Sequence, residues 1–180
     1  AQSIVTAADA KKVPVLDYDR LVDGGKSNYY VSFDNEKVGV LQGTAFVGQL
    51  KKEGVPAGSG ILMIDGSPTD NNATLFAKGA HSVIDKSGYK ILAEYKTPGW
   101  DPAQAQTWAA SEIAKFGTQI KGIYAANDGT AGGVIAAAHA AKFDLSKEAL
   151  TGQDATVAGM QAILAGDQFM SVYKAIVPEA

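Results

Sequence analysis

The stretch GILMIDGSPTDNN, residues 60–72, decides the predicted fold of this chain. The apolar run at 61–64 predicts a strand that is buried on both faces, as in a parallel sheet covered by helices. Polar residues follow at once, and a helical pattern occupies 71–86. Ligands of open parallel sheets bind beyond the carboxyl ends of the strands. The side chains that stand there after this strand are Ser67, Asp70, Asn71 and Asn72.

The same alternation of strand and helix runs through the rest of the chain. Strands are predicted at 13–18, 29–33, 61–64, 89–95, 122–126, 149–152 and 169–173, the first of them buried. Helices are predicted at 34–52, 71–86, 101–116, 128–142 and 156–165, and 1–11 has the pattern of the last turns of a helix. Strands that are spaced by single helices and joined by right-handed crossovers predict an α/β fold with a doubly wound, Rossmann-like parallel sheet.

Composition excludes several classes of function. The chain has 180 residues, a hydrophobic fraction of 46% and no Cys, so a disulfide scaffold, a thiolate metal site and a thiol nucleophile are excluded. A net charge of −3 without a basic cluster argues against a nucleic-acid partner. No apolar run reaches the roughly 18 residues of a membrane span. Since a Gly-rich phosphate cradle and metal-ligand spacings are also missing, we expect no cofactor and no metal.

Polar side chains follow nearly every predicted strand, where parallel strands bring them to one edge of the sheet. The side chains that stand there are Asp19, Arg20, Ser67, Asp70, Asn71, Asn72, Thr97, Trp100, Asn127, Asp128, Gln153, Asp154 and Lys174. A sugar hydroxyl both donates and accepts hydrogen bonds, so it suits carboxylates and amides together with Arg and Lys. The apolar C–H face of a pyranose packs on a flat aromatic ring such as Trp100. The set therefore favours a neutral polyol as ligand.

Some polar residues at helix starts have a structural interpretation instead. Asp34 and Asp101 are predicted N-caps. Asp128 is interpreted as the cap of the helix that it precedes, which leaves Asn127 as the ligand contact. Asn72 and its neighbour Asn71 both stand where a helix begins, so one of the two is a candidate cap.

The remaining conspicuous side chains do not indicate catalysis. Trp108 is predicted to flank the core on its helix. His81 and His139 have no second metal ligand at helical spacing and are predicted to be surface or hydrogen-bonded histidines. The strand ends offer no nucleophile with a base, so we expect the chain not to be an enzyme.

Six segments carry a resemblance to a known family: VPVLDYDR (13–20), YVSFDNEKVG (30–39), GSPTDNNA (66–73), NDGTAGG (127–133), GQD (152–154) and VYK (172–174). In order and nearly end to end, they resemble the D-xylose-binding proteins of bacterial ABC transporters, which are type I periplasmic binding proteins. The resemblance implies that a sugar is held by the residues matching Asp19, Arg20, Asn72, Trp100, Asn127, Asp154 and Lys174. Each of these also follows a predicted strand.

The resemblance further implies two doubly wound lobes that close on the sugar like a hinged trap. The family's first βα units and its closing helices have no counterpart in this chain. We therefore expect 1–33 to be a remnant of the N-terminal lobe, 34–172 to be the C-terminal lobe, and 173–180 to be a hinge strand that returns to the N-terminal lobe. Such a fragment would need a second chain to complete its pocket.

The function implied is that of a solute-binding protein that works in the periplasm or elsewhere outside the cytoplasm. The parent protein could also be held at the membrane by a lipid anchor. It would bind a neutral monosaccharide, with D-xylose favoured, and deliver it to an ABC permease in the membrane. The alternative is a sugar-sensing domain of a transcriptional regulator or of a sensor-kinase partner on the same fold. A repressor would carry a helix-turn-helix, and the sequence has none.

Overall fold

The computed structural model describes residues 1–179 as a chain of alternating helices and strands. The helices are α1 (Gln2–Ala10), α2 (Asn35–Lys52), α3 (Asn71–Ile84), α4 (Pro102–Phe116), α5 (Asp128–Ala141), α6 (Val157–Ala165) and α7 (Ile176–Glu179). The strands are β1 (Leu16–Tyr18), β2 (Tyr29–Val31), β3 (Gly60–Asp65), β4 (Lys90–Lys96), β5 (Ile120–Ala125) and β6 (Ala149–Leu150). Among these residues, no helix combines the length and the apolar character of a membrane span. Ala180, the end of the predicted hinge segment 173–180, lies outside the described residues.

The main sheet is parallel, has four strands and has the order β4-β3-β5-β6. The two faces of β3 bury alternate side chains, because successive residues of a strand point to opposite sides. Ile61 and Met63 pack with α2 and α3, while Leu62 and Ile64 pack with α4 and α5. Helices therefore cover both faces, which confirms the predicted doubly wound α/β fold.

A separate two-stranded parallel sheet pairs β1 with β2, with Leu16 opposite Tyr29 and Tyr18 opposite Val31. The prediction of a buried strand over 13–18 is wrong in length and in burial. Only 16–18 forms the strand, and the side chains of Leu16 and Tyr29 are 54% and 67% exposed. Two strands cannot cover each other's faces, so the apolar residues that suggested burial lie at the surface.

The predicted strand at 169–173 is also wrong. This segment forms one isolated parallel bridge, between Val172 and Gln153, and its Phe169 N–H donates to the carbonyl oxygen of Leu150 at 3.0 Å. Its neighbour β6 is a ladder strand over Ala149–Leu150 only, shorter than the predicted 149–152. The polar residues Gln168 and Ser171 instead direct their side chains to a carboxylate on α5, which takes the segment out of a regular ladder.

Helices α2 and α3 cross with their backbones in contact because a glycine stands at the crossing on each of them. A Cβ atom on Gly39 would collide with the carbonyl oxygen of Phe76, and one on Gly79 would collide with that of Glu36. Gly48 lies on α2 as well, but it faces open space. Close approach of α2 and α3 sets the position of the residues that begin α3 at the sheet edge.

This crossing gives a matched pair of substitutions. We expect Gly39→Ala to lower the free energy of unfolding by about 1–3 kcal/mol, because the added methyl group forces the helices apart. Gly48→Ala should raise it by about 0.5–1 kcal/mol, because alanine is the better helix former and meets no neighbour. Urea unfolding followed by circular dichroism measures both. Changes of the same sign in the two variants would contradict the close crossing.

Candidate functional site

A cleft of about 200 Å³ lies at the carboxyl edge of the main sheet. All seven residues that the family resemblance implies as sugar contacts line it, namely Asp19, Arg20, Asn72, Trp100, Asn127, Asp154 and Lys174. Asp70, Phe76 and Gln153 complete the lining. The structure thus brings the predicted residues together, and their contact with a ligand stays a prediction. Phe76 was not predicted, although it lies one helical turn after Asn72 and so shares its face of α3.

Asp70 organises one side of the cleft. Its Oδ1 accepts a hydrogen bond from the backbone N–H of Asn72 at 3.0 Å, so Asp70 is the N-cap of α3. The expectation that Asn71 or Asn72 is the cap is therefore wrong. The other oxygen, Oδ2, accepts from Trp100 Nε1 at 2.9 Å and pairs with Arg20 Nε at 3.2 Å. One buried carboxylate thereby fixes both a cation and an indole at the cleft.

Asn72 connects the main sheet to the two-stranded sheet. Its Oδ1 accepts from the hydroxyl of Tyr30 at 3.1 Å and from Asn35 Nδ2 at 3.0 Å. Its Nδ2 donates to the carbonyl oxygen of Asp19 at 2.9 Å. Both acceptor positions of the amide oxygen are occupied by the protein, so an N–H of Nδ2 is what Asn72 retains for a ligand.

Trp100 is held in the cleft on several sides. It ends a short 3₁₀ turn, Pro98–Trp100, in which Gly99 and Trp100 have φ values of 62° and 59°. Its ring meets Phe76 edge to face, with the ring centroids 6.4 Å apart. The backbone of Gly66 lies against the indole so closely that a Cβ atom would collide with it. The indole is therefore a preorganised flat surface beside the polar groups.

Asn127 is the N-cap of α5, which corrects the assignment of that role to Asp128. Its Oδ1 accepts from the backbone N–H of Thr130 at 2.9 Å, and Thr130 completes a capping box. Its Nδ2 lies 3.5 Å from Asp154 Oδ2 and so still faces the cleft. The predicted caps Asp34 and Asp101 do accept hydrogen bonds at the starts of their helices.

Asp128, the first residue of α5, is a buried acceptor for a distant segment. Its Oδ2 accepts from the backbone N–H and the hydroxyl of Thr156 at 2.8 and 3.0 Å. Its Oδ1 accepts from Gln168 Nε2 at 3.0 Å and from the hydroxyl of Ser171 at 2.8 Å. The cap position one residue earlier is already filled by Asn127, so the Asp128 side chain is available to tie 156–171 to α5.

Lys174 closes the other side of the cleft. Its Nζ lies 3.2 Å from Asp154 Oδ1, and its side chain is only 17% exposed. The same ammonium group stands over the rings of Phe33 and Phe76, 5.7 and 5.5 Å from their centroids. Each cation of the cleft therefore has a carboxylate partner before any ligand is present. A paired set of this kind suits a neutral ligand with many hydroxyl groups better than an ion.

Side chains outside the cleft follow their structural interpretation. Trp108 stacks on Tyr95 with centroids 5.4 Å apart, and it packs against the core. His139 Nε2 pairs with Asp167 at 3.0 Å, and His81 contacts two carboxylates. Over residues 1–179, no group of three or more His, Cys, Asp or Glu side chains is arranged to hold a metal ion.

Comparison with known proteins shows the family of the chain. Residues 1–180 match the family model described as periplasmic binding protein domain. The chain belongs to this family. As a periplasmic binding protein, it is 39% identical over 178 residues to the D-xylose-binding periplasmic protein of Escherichia coli (strain K12), a match that covers 97% of this chain and 52% of that protein. It is 33% identical to the multiple sugar-binding periplasmic receptor ChvE of Rhizobium radiobacter, covering 90% of this chain and 50% of the receptor.

Solved structures of sugar-binding proteins share the fold. An ABC transporter solute-binding protein from Clostridium phytofermentans with bound β-D-glucose superposes with a TM-score of 0.82 at 30% identity, covering 96% of this chain and 57% of that one. The Caulobacter myo-inositol binding protein superposes with a TM-score of 0.79 at 24% identity, covering 93% and 56%. These neighbours are type I periplasmic binding proteins. The chain spans about half the length of the curated relatives it matches.

The Asp128 network predicts a large effect on stability. We expect Asp128→Ala to lower the free energy of unfolding by about 3 kcal/mol or more, because several hydrogen bonds to a buried charge are lost together. Asp34→Ala, which removes an ordinary N-cap, should cost about 1 kcal/mol. Urea unfolding of the two variants measures the difference. Equal losses would show that Asp128 does no more than a cap does.

Proposed function

We propose that this periplasmic binding protein chain is part of an extracytoplasmic receptor for a neutral monosaccharide, which passes its sugar to an ABC permease in the membrane. The observation that carries the proposal is the cleft, where paired carboxylates and cations surround the preorganised indole of Trp100. Binding without chemical conversion fits a site in which Asp70 and Asp154 are engaged by Arg20 and Lys174.

D-xylose is the sugar we propose first. Two relatives named as D-xylose-binding periplasmic proteins are 39% and 37% identical to this chain. Another relative is named for multiple sugars, and the glucose-bound neighbour is 30% identical. Because these ligands share a ring with several hydroxyl groups, the test has to compare pentoses with hexoses.

Each side of the sugar has a proposed partner. Trp100 would pack on the apolar C–H face of the ring. Arg20, whose side chain is 62% exposed and uses Nε for Asp70, keeps its terminal N–H groups to donate to sugar oxygens. Asp154 would accept hydroxyl protons while Lys174 and Asn127 donate to the oxygens beside it.

We also propose that the cleft lies between two lobes. Residues 34–172 would form one lobe, and 1–33 with 173–180 would belong to the other. The separate β1–β2 sheet with its exposed apolar faces supports this division, since strands of that kind pair with further strands. The remainder of the second lobe, in the same protein or in a second chain, would supply the other face of the pocket.

Binding by the 180-residue chain alone is therefore expected to be weak. Without the opposing face, a sugar makes fewer contacts and stays open to water. We expect D-xylose to bind with a Kd on the order of millimolar, which corresponds to a binding free energy of about −4 kcal/mol. Titration followed by ¹H–¹⁵N NMR detects such affinities. A Kd in the micromolar range would contradict the two-lobe proposal, and the absence of shifts at Trp100 and Asn127 would contradict the site.

The two tryptophans provide a matched control. We expect Trp100→Phe to weaken D-xylose binding about 10-fold, because the smaller ring offers less surface and loses the hydrogen bond to Asp70. Trp108→Phe should leave the affinity unchanged, since Trp108 stacks on Tyr95 away from the cleft. The same NMR titration, repeated with D-glucose and L-arabinose, ranks the sugars. An equal effect of the two substitutions would rule out a specific role for Trp100.

A further inference from the structure

A second cavity, of about 240 Å³, lies between α3 and β4 on the outer side of the cleft. Asp65, Glu94, Lys96 and His81 line it with charged or titratable groups. Asp65 ends β3, and on the paired strand Met63 lies opposite Glu94 and Asp65 opposite Lys96. Residues two apart on a strand share a face, so the Asp65 and Glu94 carboxyl groups lie on the side covered by α3.

The Asp65 carboxyl is buried without a donor. The residue is 2% exposed, and neither of its oxygens accepts a hydrogen bond from an N–H or O–H group of the described residues. The group within hydrogen-bonding reach is the carboxyl of Glu94. Two carboxylates can form a hydrogen bond only if one of them holds a proton, and an ionised Asp65 would be a buried charge beside a second carboxylate, whose side chain is 35% exposed. A proton on Asp65 resolves both problems at once.

Some of the groups around Asp65 raise its pKa and others lower it. Burial, and then the hydrogen bond and charge of Glu94, raise the pKa of Asp65 from 3.8 to about 7, while His81 on α3 and Lys96 on β4 oppose the rise. His81 contacts Glu94 at 3.3 Å and Asp85 at 3.0 Å. Burial works against its protonation, but the hydrogen bonds to Asp85 and Glu94 raise the pKa of His81 overall. Burial, and then the charge of Asp65, raise the pKa of Tyr124 on β5 far enough to keep its hydroxyl group neutral.

A short path of contacts leads from Asp65 to the indole in the cleft. The carbonyl oxygen of Asp65 accepts from the backbone N–H of Thr97 at 3.2 Å. The next residue, Gly66, lies against the Trp100 ring, and the hydroxyl of Ser67 accepts from the Gly99 N–H at 3.3 Å. The loop that presents Trp100 is thus attached to the residues that directly follow the carboxyl pair.

We propose that the buried Asp65 holds a proton, which it donates to Glu94, and that this hydrogen bond holds the Trp100 loop in its place at the cleft. Loss of the proton leaves an ionised Asp65 facing the Glu94 carboxylate, which drives the end of β3 and the loop apart. As far as the proposed function holds, sugar affinity then falls as the pH rises through the range in which Asp65 ionises.

The same proton affects stability in a direction that follows from linkage. The folded protein holds a proton on Asp65 that the unfolded chain releases at an ordinary pKa of 3.8, so unfolding releases a proton between about pH 4 and pH 7. Stability therefore falls as the pH rises through that window and does not change further above it. Glu148, whose pKa burial raises to about 7, adds a fall of the same sign, and so does His81. A site-specific signal is needed to separate them.

The test is a pH titration of the sugar-free chain by NMR, from pH 4 to pH 9. We expect the side-chain carboxyl ¹³C signal of Asp65 to titrate near pH 7 and the indole N–H signal of Trp100 to move with the same midpoint. In Asp65→Asn, the Trp100 signal should lose this transition. In Glu94→Gln the transition should become much smaller, because Asp65 still ionises but no second carboxylate is left to repel it. In His81→Gln the transition should remain, although its midpoint shifts.

Glu148→Gln is the matched control. It removes another carboxyl with a raised pKa, but Glu148 precedes β6 at the opposite end of the sheet. The Trp100 transition should persist in it. An Asp65 signal that titrates near pH 4, or a Trp100 signal that ignores Asp65, would overturn the proposal.

A D-xylose titration at pH 5.5 and pH 8.5 then follows the consequence for binding. We expect the wild-type affinity to drop several-fold between these values and that of Asp65→Asn to stay level. If the sugar binds at neither pH, the proposed function fails, while the sugar-free Trp100 signal still decides the proposal about the Asp65 proton.

Discussion

The hydrogen bond between Trp100 and Asp70 joins the loop after β4 to the start of α3. Asp70 is held at the start of α3 by its capping bond, and its second oxygen is thereby aimed at the indole and at Arg20. The α2–α3 crossing places that helix start at the sheet edge. The glycine contact between α2 and α3 therefore fixes the place of the Asp70 cap. The cap in turn fixes the Trp100 ring and the Arg20 guanidinium. Both oxygens of Asp70 are engaged in these contacts, so the side chains that line this part of the cleft have few other conformations.

Charge pairing explains why the cleft suits a neutral ligand. The cations Arg20 and Lys174 each contact a carboxylate, at 3.2 Å in both cases. An incoming ion would have to break one of these pairs and leave its partner buried, which is costly. A hydroxyl group can join a pair without breaking it, since it donates to the carboxylate and accepts from the cation. The same pairing also holds the long side chains still, which lowers the entropy that a ligand has to overcome.

The sequence predicts the central strands of the main sheet, the helices and the strand ends that form the cleft, because these follow from patterns within short stretches. A buried strand, its following loop and a helix start are local features, and parallel strands necessarily end at one edge. What it does not predict depends on partners far along the chain. Asp128 is indistinguishable from a cap until Thr156 and Gln168 are brought to it. The exposure of Leu16 depends on which strands lie beside β1, and the apolar pattern alone gives no sign of it.

Asp65 and Asp70 make the same point with two carboxyl groups separated by one loop. Asp70 accepts hydrogen bonds from Asn72 and Trp100 and pairs with Arg20. In Asp65, burial and a second carboxyl favour the protonated form. The loop between them also carries Gly66, against which Trp100 rests. Asp70 therefore holds the indole by a hydrogen bond, whereas Asp65, by our proposal, moves it when its proton is lost. The two roles differ because Asp70 stands at the start of α3 and Asp65 at the buried end of β3.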